Sequence, residues 1–298
     1  MRIRPVAGYR FHGGTGRNVS RVVAPPYDQI SPEMQVELYE LSAWNIVRVT
    51  YPREEPGTDK YAMARQTLLA WLADGVWARE AVPAIYPYQQ TYTVRGRPVT
   101  RTGFIALGEV SDYSRSIVLP HERTHAGPKK DRMDLLEATR ADIGLLFMLV
   151  GDPAWDLRQA TAPAGEPIAE ARDLRGEQHR LWRVTDAETI ARIQTLMERR
   201  QVIIADGHHR YETAVEYASR HPAAGGKLMA FFALEAPGLT ILPNHRLVHN
   251  VADFDFDDLI KAAGRWFDAA PLEDPAGFRP EHRSIGLVAG RTAATLKL

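Results

Sequence analysis

The 298-residue chain contains no cysteine. This absence excludes disulfide bonds, thiol nucleophiles and zinc sites built from cysteine. The chain also lacks a net charge, because 37 lysines and arginines balance 37 aspartates and glutamates. A neutral chain has no general attraction to nucleic acid or to an anionic membrane. Nucleic acid is therefore not an expected partner, and an ionic ligand would need a local patch of charge.

Long apolar runs are missing as well. The purest run, LLFMLV at 145–150, is far shorter than the ~20 residues that a membrane helix needs. The first residues, MRIRPVAGYRFHGG, include basic side chains but not the apolar core of a signal peptide. The sequence thus predicts a soluble, cytoplasmic protein without a membrane partner.

The chain does contain enough apolar material for a sizeable core. Apolar residues make up 45% of the sequence and charged residues 25%, as in ordinary globular proteins. The length allows two domains. We place an N-terminal α/β region at 1–160 and a second region at 175–298, on either side of the Ala- and Pro-rich segment 159–171. The alternative is one continuous globular unit.

Apolar spacing and capping signals predict the helices. Ser31 is typical of an N-cap, with Pro32 at the first helical position. Thr185 and Glu188 have the spacing of a capping box, and Gly75 is typical of a helix stop. The predicted helices span 32–41, 59–74, 131–140, 185–200 and 208–220.

Alternating patterns and short apolar runs predict the strands. A turn at RGRP joins two of them into a hairpin, and the last two form another hairpin at the end of the chain. The predicted strands span 21–24, 45–52, 84–94, 101–110, 117–120, 143–152, 201–206, 227–235, 239–248, 284–290 and 291–298.

The stretch LPHERTHAGPKKDR, Leu119–Arg132, contains the His-Glu-x-x-His spelling of a zinc-protease helix. Pro120 before the motif and Gly127-Pro128 after it leave less than two helical turns, too few to hold two ligands rigidly. We therefore expect no zinc. The many donors here, with free backbone N–H groups, instead suit an anion. The candidate phosphate-binding residues are His121, Glu122, Arg123, Thr124, Lys129 and Arg132. The alternative is a solvated loop with ordinary salt bridges.

A second stretch, VIIADGHHRYETA, places polar groups at the end of a buried strand. Asp206 ends the strand, and Gly207 permits a sharp turn. His208, His209 and Arg210 follow in the first turn of a helix, where backbone N–H groups are unpaired and the dipole favours an anion. The alternative is an aspartate N-cap followed by surface histidines. Neighbouring helical residues point about 100° apart, which argues against a metal held by both histidines.

Several stretches together resemble the domain-of-unknown-function 1015 family over essentially the whole chain. The motifs that carry the resemblance are, in order, VVAPPYDQIS, NIVRVTYP, AIYPYQQ, RTGFIAL, LPHERTHAGPKKDRMDLLEATRADIGLLFML, IADGHHRYETA and GLTILPNHRLV. Members of that family usually continue into a further C-terminal region, so the resemblance implies that this chain is a truncated form. They also tend to carry an aliphatic residue at the position of His125, which again argues against zinc.

The stretch GHHRYETA is similar to the Gly-Glu-Arg-Arg-x-Arg-Ala-Ala box of the ParB/sulfiredoxin superfamily. The matching positions are Gly207, Arg210 and Ala214, and the differing ones are His208, His209 and Glu212. In that superfamily the box lies at a helix start and contacts nucleotide phosphates, and the free-serine kinases carry a related Asp-Gly-His box. The resemblance implies an α+β fold, a ParB/sulfiredoxin-like mixed sheet with flanking helices. It also implies a phosphotransferase that uses ATP or ADP with Mg²⁺ on a small hydroxylated metabolite such as free serine.

This implied function assigns a role to each candidate residue. Asp206 orients Mg²⁺ or accepts the proton of the substrate hydroxyl, and His208 and His209 complete the catalytic set. Gly207 and Arg210 bind phosphates, and the residues of the HERTHAGPKK loop form the opposing wall. Two additional candidates are Asp28 and Glu212.

We expect His121 and Arg123 to lie near Asp206 and His209, because two anion-binding loops in one globular chain share a ligand most economically. Asp28, after a double proline, is equally typical of a turn cap. Two other functions stay open: a nucleotide-binding regulatory or ParB-like DNA-partitioning module without metabolite turnover, and a non-catalytic scaffold. Zero net charge counts against a DNA surface. The sequence leaves the substrate, the nucleotide base and the oligomeric state open.

Overall fold

The computed structural model describes residues 1–12, 18–122, 124, 126–240 and 245–298. Contacts divide the chain into two units, Met1–Thr240 and Ile241–Leu298. All of the candidate site residues belong to the first unit.

The described part of the first unit contains both helices and strands. Its α-helices are α1 Pro32–Leu41, α2 Val47–Thr50, α3 Lys60–Ala73, α4 Ala126–Thr139, α5 Asp156–Ala160, α6 Ala187–Glu198 and α7 His208–Arg220. Its strands are β1 Ile3–Arg4, β2 Tyr9–Phe11, β3 Trp77–Arg79, β4 Tyr86–Val94, β5 Arg97–Glu109, β6 Val118–Leu119, β7 Leu146–Val150, β8 Ala169–Arg172, β9 Gln178–Leu181, β10 Val202–Asp206 and β11 Gly226–Ala233. Among the described residues, no helix combines the length and the apolar content that crossing a membrane requires.

The first unit is built on a mixed sheet of nine strands. Eight of them run in the order β6-β10-β7-β11-β5-β4-β9-β8, and β1 pairs with β5. β7 is parallel to β11 but antiparallel to β10, and β6 is parallel to β10. The expected α+β class, with a large mixed sheet and flanking helices, is confirmed.

Alternate residues of the central strands form the main core on one face of this sheet. Leu146 and Met148 of β7 are buried there together with Ile193 and Met197 of α6. Burying each such side chain contributes about 1.5–3 kcal/mol. The intervening residue of β7, Phe147, is only partly buried, so the other face of the sheet is less covered.

β10, Gly207 and α7 form the strand–turn–helix unit that the sequence predicts. The apolar residues Val202 and Ile204 are fully buried in β10. Gly207 has φ +102°, in the left-handed region that favours glycine, and there the chain turns from strand into helix. α7 then buries Tyr211. The candidate residues at the start of α7 are therefore fixed at the end of a central strand.

Two predicted strands, 21–24 and 45–52, are wrong. The first has no regular structure, and the second contains the short helix α2. The Asn45 side chain accounts for both differences. Its amide donates to two carbonyls of the first segment (3.0 and 2.9 Å), and its oxygen accepts from the N–H of Val47 (3.0 Å). Asn45 thus takes backbone hydrogen bonds that strand pairing would have supplied, and it satisfies the N–H of Val47 at the start of α2.

The start of α6 also differs from its prediction. Asp186, not Thr185, is the N-cap, and its carboxylate accepts from the N–H of Thr189 (2.8 Å). Of the predicted strand 239–248, residues 241–244 lie outside the described residues, and the described remainder has no regular secondary structure. The helix predicted at 131–140 begins five residues earlier, at Ala126, so Gly127 and Pro128 lie in its first turn, where proline is tolerated. The remaining predicted helices and strands are confirmed with smaller shifts at their ends.

The second unit contains one described helix and a small sheet. Its elements are α8 Phe256–Ala263, β12 Asp268–Pro271, β13 Ser284–Ala289 and β14 Thr292–Lys297. Asp255 caps α8, because its carboxylate accepts from the N–H of Asp258 (2.9 Å). The strands pair antiparallel in the order β12-β14-β13, with Ala294 and Leu296 buried. The predicted terminal hairpin is confirmed.

Candidate functional site

The loop before α4 lies directly against the start of α7. The backbone N–H of His121 donates to Nε2 of His208 (3.2 Å), and the two rings meet edge to face with centroids 4.5 Å apart. Nδ1 of His121 bonds with the carbonyl of Ile204 in β10 (2.6 Å). The two candidate stretches therefore come together, as expected for His121. Arg123 and His125 lie outside the described residues.

These contacts fix where each imidazole carries its proton. A carbonyl oxygen can only accept, so Nδ1 of His121 is protonated and Nε2 is the basic nitrogen. In His208 the roles are reversed: Nε2 accepts from the backbone, so Nδ1 is protonated and donates to Oε1 of Glu122 (3.0 Å). Within the described part of the chain, Nε2 of His121 has no hydrogen-bond partner, and the residue is exposed. His121 therefore presents a basic nitrogen to solvent or to a ligand.

His208 is an interior residue, only 1% exposed. Burial holds its pKa below the ordinary value for histidine; Glu122 opposes this effect and His121 adds to it. The ring is therefore neutral at neutral pH, and it links α7 to the loop before α4. His209, the next residue, is partly buried, and its carbonyl accepts from the Thr213 hydroxyl (2.7 Å). The alternative of surface histidines is thus wrong for His208, and the catalytic roles of both histidines stay predictions.

The free energy of unfolding should fall as pH is lowered below about 6.5, the ordinary pKa of histidine. Because the pKa of His208 is lower in the folded state, the unfolded chain binds this proton first. The stability from neutral His208 is therefore complete above that pH and is lost as pH falls toward the folded-state pKa. Urea unfolding at pH 7.5 and 5.5 measures the slope, which should shrink in His208→Gln. The surface variant His221→Gln should keep the wild-type slope; an unchanged slope in His208→Gln would contradict the assignment.

Asp206 lies beside Arg210 rather than over the first turn of α7. Arg210 donates from Nη2 to the Asp206 carboxylate and from Nη1 to the carbonyl of Leu145. Gly207 occupies the N-cap position, and no described side chain caps the helix. The N-cap alternative for Asp206 is therefore wrong. The Asp206 side chain is 42% exposed and that of Arg210 9%, so the carboxylate is the accessible member of the pair.

Glu212 ties α7 to the start of α4. Its Oε2 accepts from the hydroxyl of Thr124 (2.6 Å) and lies 3.5 Å from Nζ of Lys129. Its Oε1 accepts from the hydroxyl of Tyr113 (3.5 Å). Two predicted phosphate-binding residues are thus held by one carboxylate. A phosphate that entered here would compete with Glu212 for Lys129.

Arg132 connects α4 to a third segment. Its Cζ lies 3.9 Å from the centre of the Tyr27 ring, and its Nη1 donates to the carbonyl of Thr50 (2.8 Å). Burial raises the pKa of Tyr27; Arg132 opposes this rise, Asp28 adds to it and Arg210 opposes it. These charges therefore lie within electrostatic reach of the Tyr27 ring. Asp28 is exposed and follows Tyr27 directly in the chain, so it lies next to the residue on which Arg132 stacks.

The sequence analysis missed two charged residues beside Arg210. Lys227 is buried and ion-paired with Asp142, which also accepts from the N–H of Leu228 (2.7 Å). Burial lowers the pKa of Lys227, Asp142 opposes this, and Arg210 lowers it further. A Cβ placed on Gly144 would stand 3.0 Å from Cδ of Arg210 and 3.8 Å from Nζ of Lys227. A single lysine within an apolar run belongs to no recognisable motif. Its burial beside Asp142 is therefore visible in the structure but not in the sequence.

His121, Glu122 and His208 also have the side-chain types of a metal site. One ligand atom from each lies within 4.8 Å of the others. Both ring nitrogens of His208 already have hydrogen-bond partners, so His121 and Glu122 are the donors that this arrangement leaves. Catalytic zinc usually takes three protein ligands, and a metal here would first have to displace the partners of His208.

A second such cluster, also missed, lies around the β8–β9 hairpin. Ligand atoms of Asp173, Glu177 and His179 lie within 4.8 Å of one another. His179 bonds through Nδ1 with the hydroxyl of Tyr88 (2.6 Å) and through Nε2 with Asp173 (3.4 Å), while Glu177 accepts from Gln90. Burial raises the pKa of Tyr88. The cluster is a hydrogen-bonded network in which both ring nitrogens of His179 and a carboxylate oxygen of Glu177 already have partners.

Comparison with known proteins gives one finding. A family model described as "Protein of unknown function (DUF1015)" matches residues 3–298. Neither the curated proteins nor the solved structures contain a match. Because this family model covers nearly the whole chain, from β1 to β14, the chain belongs to the DUF1015 family.

Proposed function

We propose that this protein is a nucleotide-dependent phosphotransferase that acts on a small hydroxylated metabolite such as free serine. The observation that carries the proposal is that segments far apart in sequence meet around the start of α7. They are the loop before α4, Asp142–Leu145 and Asp206–Glu212, and Tyr27 joins them through Arg132 of α4. Together they supply an accessible carboxylate, a basic imidazole and several cations, the groups that phosphoryl transfer requires.

In this proposal the nucleotide phosphates bind at the N-terminus of α7. The first-turn N–H groups have no side-chain cap among the described residues, and the helix dipole adds partial positive charge there. Lys129 and Arg132 approach from α4, and His121 presents Nε2. His208 and His209 keep their proposed place beside the phosphates as the first residues of the helix.

Asp206 is the proposed general base. Its carboxylate is accessible, and the charge-assisted hydrogen bond from Arg210 sets its direction. A carboxylate fixed beside the bound phosphates is placed to accept the proton of a substrate hydroxyl as that oxygen attacks. Glu122 contributes indirectly, because it holds His208 in the tautomer that binds the backbone of the loop.

The residues present fit a magnesium nucleotide better than zinc. Mg²⁺ is commonly bound by one or two carboxylates together with substrate phosphates and water, and Asp206 meets that need. Bound Mg²⁺ would neutralise charge on the transferring phosphoryl group. We propose that no zinc is held, because the donors left free by the hydrogen bonds of His208 are one imidazole and one carboxylate, His121 and Glu122.

The position of GHHRYETA supports the proposed ParB/sulfiredoxin-like relationship. The box of that superfamily lies at a helix start, and here the stretch follows a buried strand and opens α7. Two of the matching residues pack on each other here. Gly207 forms the turn, and Arg210 lies so close to it that a Cβ on Gly207 would stand 3.1 Å from Cζ of Arg210.

The purified chain should bind ADP or ATP with Mg²⁺ and consume it when a hydroxylated acceptor is present. Lys129→Met should weaken nucleotide binding about tenfold, the scale of one charge-assisted hydrogen bond. Calorimetry measures the binding, and phosphorus NMR with an acceptor panel that includes L-serine measures turnover. Lys130→Met is the matched control, because this neighbouring lysine is 79% exposed and pairs with Asp134.

The alternatives give different results in the same experiment. A regulatory nucleotide-binding module would bind nucleotide and consume none with any acceptor. A DNA-partitioning module would also retain duplex DNA at physiological salt. A scaffold would bind neither. Equal nucleotide affinities for Lys129→Met and Lys130→Met would remove Lys129 from the proposed phosphate site.

A further inference from the structure

The less covered face of the nine-stranded sheet carries a row of aromatic and polar side chains, which we call the open face. The pairing of β10 with β7 shifts register between Ile204 and Asp206, and this shift makes Asp206 the partner of Phe147. Antiparallel partners project from the same face of a sheet. Phe147 packs edge to face on Phe232 of β11, with centroids 4.8 Å apart. The open face therefore leads from the Asp206 carboxylate across these two rings toward β5.

Arg101 of β5 ends this row inside a cage of aromatic rings. Its Cζ lies 4.5 Å from the centre of the Phe147 ring, 5.2 Å from Phe232 and 5.2 Å from Tyr92. Tyr92 is itself held, because its hydroxyl donates to the carbonyl of Gly238 (2.7 Å). A guanidinium is weakly hydrated and stacks well on rings, so such a cage suits arginine and fixes its plane.

Arg101 is held in place without a counter-ion. Nε and Nη2 both donate to Oε1 of Gln90 (2.9 and 2.6 Å), and Gln90 in turn donates to Glu177. No carboxylate among the described residues forms an ion pair with Arg101, and its Nη1 has no hydrogen bond there. The charge is thus partly buried and pre-oriented, and it has no direct ion-pair partner among the described residues, whereas Arg210 and Arg132 each pair with an aspartate.

We propose that Arg101 binds the carboxylate of the acceptor substrate, so that the substrate class is a small hydroxy acid or hydroxy amino acid. The inference rests on the proposed function, with Asp206 at the reacting hydroxyl. A guanidinium edge presents donors that match a carboxylate. Held in an aromatic cage without a direct carboxylate partner among the described residues, Arg101 is free to bind the carboxylate of a ligand.

The nucleotide is the other source of an anion, and its phosphates are better served elsewhere. The N-terminus of α7 offers backbone N–H groups without a described side-chain cap, and Lys129 and Arg132 of α4 add cations there. Arg101 offers a single planar guanidinium, which suits a carboxylate.

The test measures binding, so it does not depend on turnover. Calorimetry would use probe pairs that differ in the carboxylate: L-serine against ethanolamine, and glycerate against ethylene glycol. Wild type should bind the carboxylate member of at least one pair at least tenfold more tightly. Arg101→Gln should lose that preference, and Arg101→Lys should keep only part of it, because lysine lacks the planar fork. Arg97→Gln, an exposed residue of the same strand, should bind like wild type.

Each result decides the assignment. Melting curves first establish that the variants are folded, and the two Arg101 substitutions give independent chances of a folded protein. A tenfold loss of ADP affinity in Arg101→Gln, with serine and glycerate unaffected, would place a phosphate at Arg101 and overturn the carboxylate assignment. An unchanged carboxylate preference in both variants would overturn it while leaving the phosphotransferase proposal intact. A wild type that consumes nucleotide but binds both members of each probe pair equally would also overturn the carboxylate assignment and leave the phosphotransferase proposal intact.

Discussion

Asp206→Asn should lower turnover at least ~100-fold, the usual scale for losing a positioned acid-base group. The amide keeps the shape of the side chain but cannot accept the hydroxyl proton. Stability should change little, because the carboxylate is 42% exposed and Arg210 keeps its bond to the Leu145 carbonyl. Phosphorus NMR of nucleotide consumption, with a melting curve of the same sample, measures both quantities.

The chain offers a control for this substitution on another helix. Asp134 is 33% exposed and pairs with Lys130 four residues earlier on α4, at the same spacing as Asp206 and Arg210. Asp134→Asn removes an ion pair of the same spacing and should leave turnover near the wild-type value. If Asp206→Asn also retains full turnover, Asp206 is not the base.

Gly207→Ala should reduce the free energy of unfolding by about 2–5 kcal/mol. A residue with a Cβ is strained at φ +102° by about 1–2 kcal/mol, and the new Cβ would stand 2.7 Å from Cδ2 of Leu146 and 3.1 Å from Cζ of Arg210. Relieving such overpacking costs a further ~1–3 kcal/mol. Relief would also move Arg210 away from Asp206, so the folded fraction should lose turnover. Urea unfolding measures the first effect and an activity assay the second.

Gly127→Ala is the control with the opposite sign. Gly127 lies in the first turn of α4, has an ordinary backbone conformation, and a Cβ there meets nothing within 4 Å. Alanine should therefore stabilise this helix by about 0.5–1 kcal/mol. A Gly207→Ala protein within about 0.5 kcal/mol of wild type would show that the turn can adopt another conformation.

The parts of the fold that the sequence predicts well are those with local causes. The hairpin of β4 and β5 follows from alternation around a tight turn, and β10–Gly207–α7 follows from a buried run, a glycine and a helical repeat. The segment 45–52 failed because one side chain, Asn45, rearranged two backbone segments through its hydrogen bonds. The alternating apolar pattern of this segment correctly indicates that Val47 and Val49 are buried. A short helix can bury these two residues as well as a strand can.

The candidate site divides in the same way. The approach of His121 to α7 followed from two anion-type stretches in one chain, and it is present. The partner of Asp206 was not expected, although Arg210 stands four residues away, the usual spacing of a helical ion pair. Arg101, Asp142 and Lys227 have no local signal at all, since only pairing of distant strands and loops places them.

The His121–His208 contact joins residues 87 positions apart, and Lys227 meets Asp142 across 85. Closing such long loops costs entropy before any contact compensates it, and pairing between distant segments is slow compared with hairpin closure. We therefore expect the two histidine tautomers and the buried lysine pair to be among the last features to form. Under the proposed function, the phosphate site is complete during synthesis only after the segment through Arg210 has left the ribosome and β10 has entered the sheet.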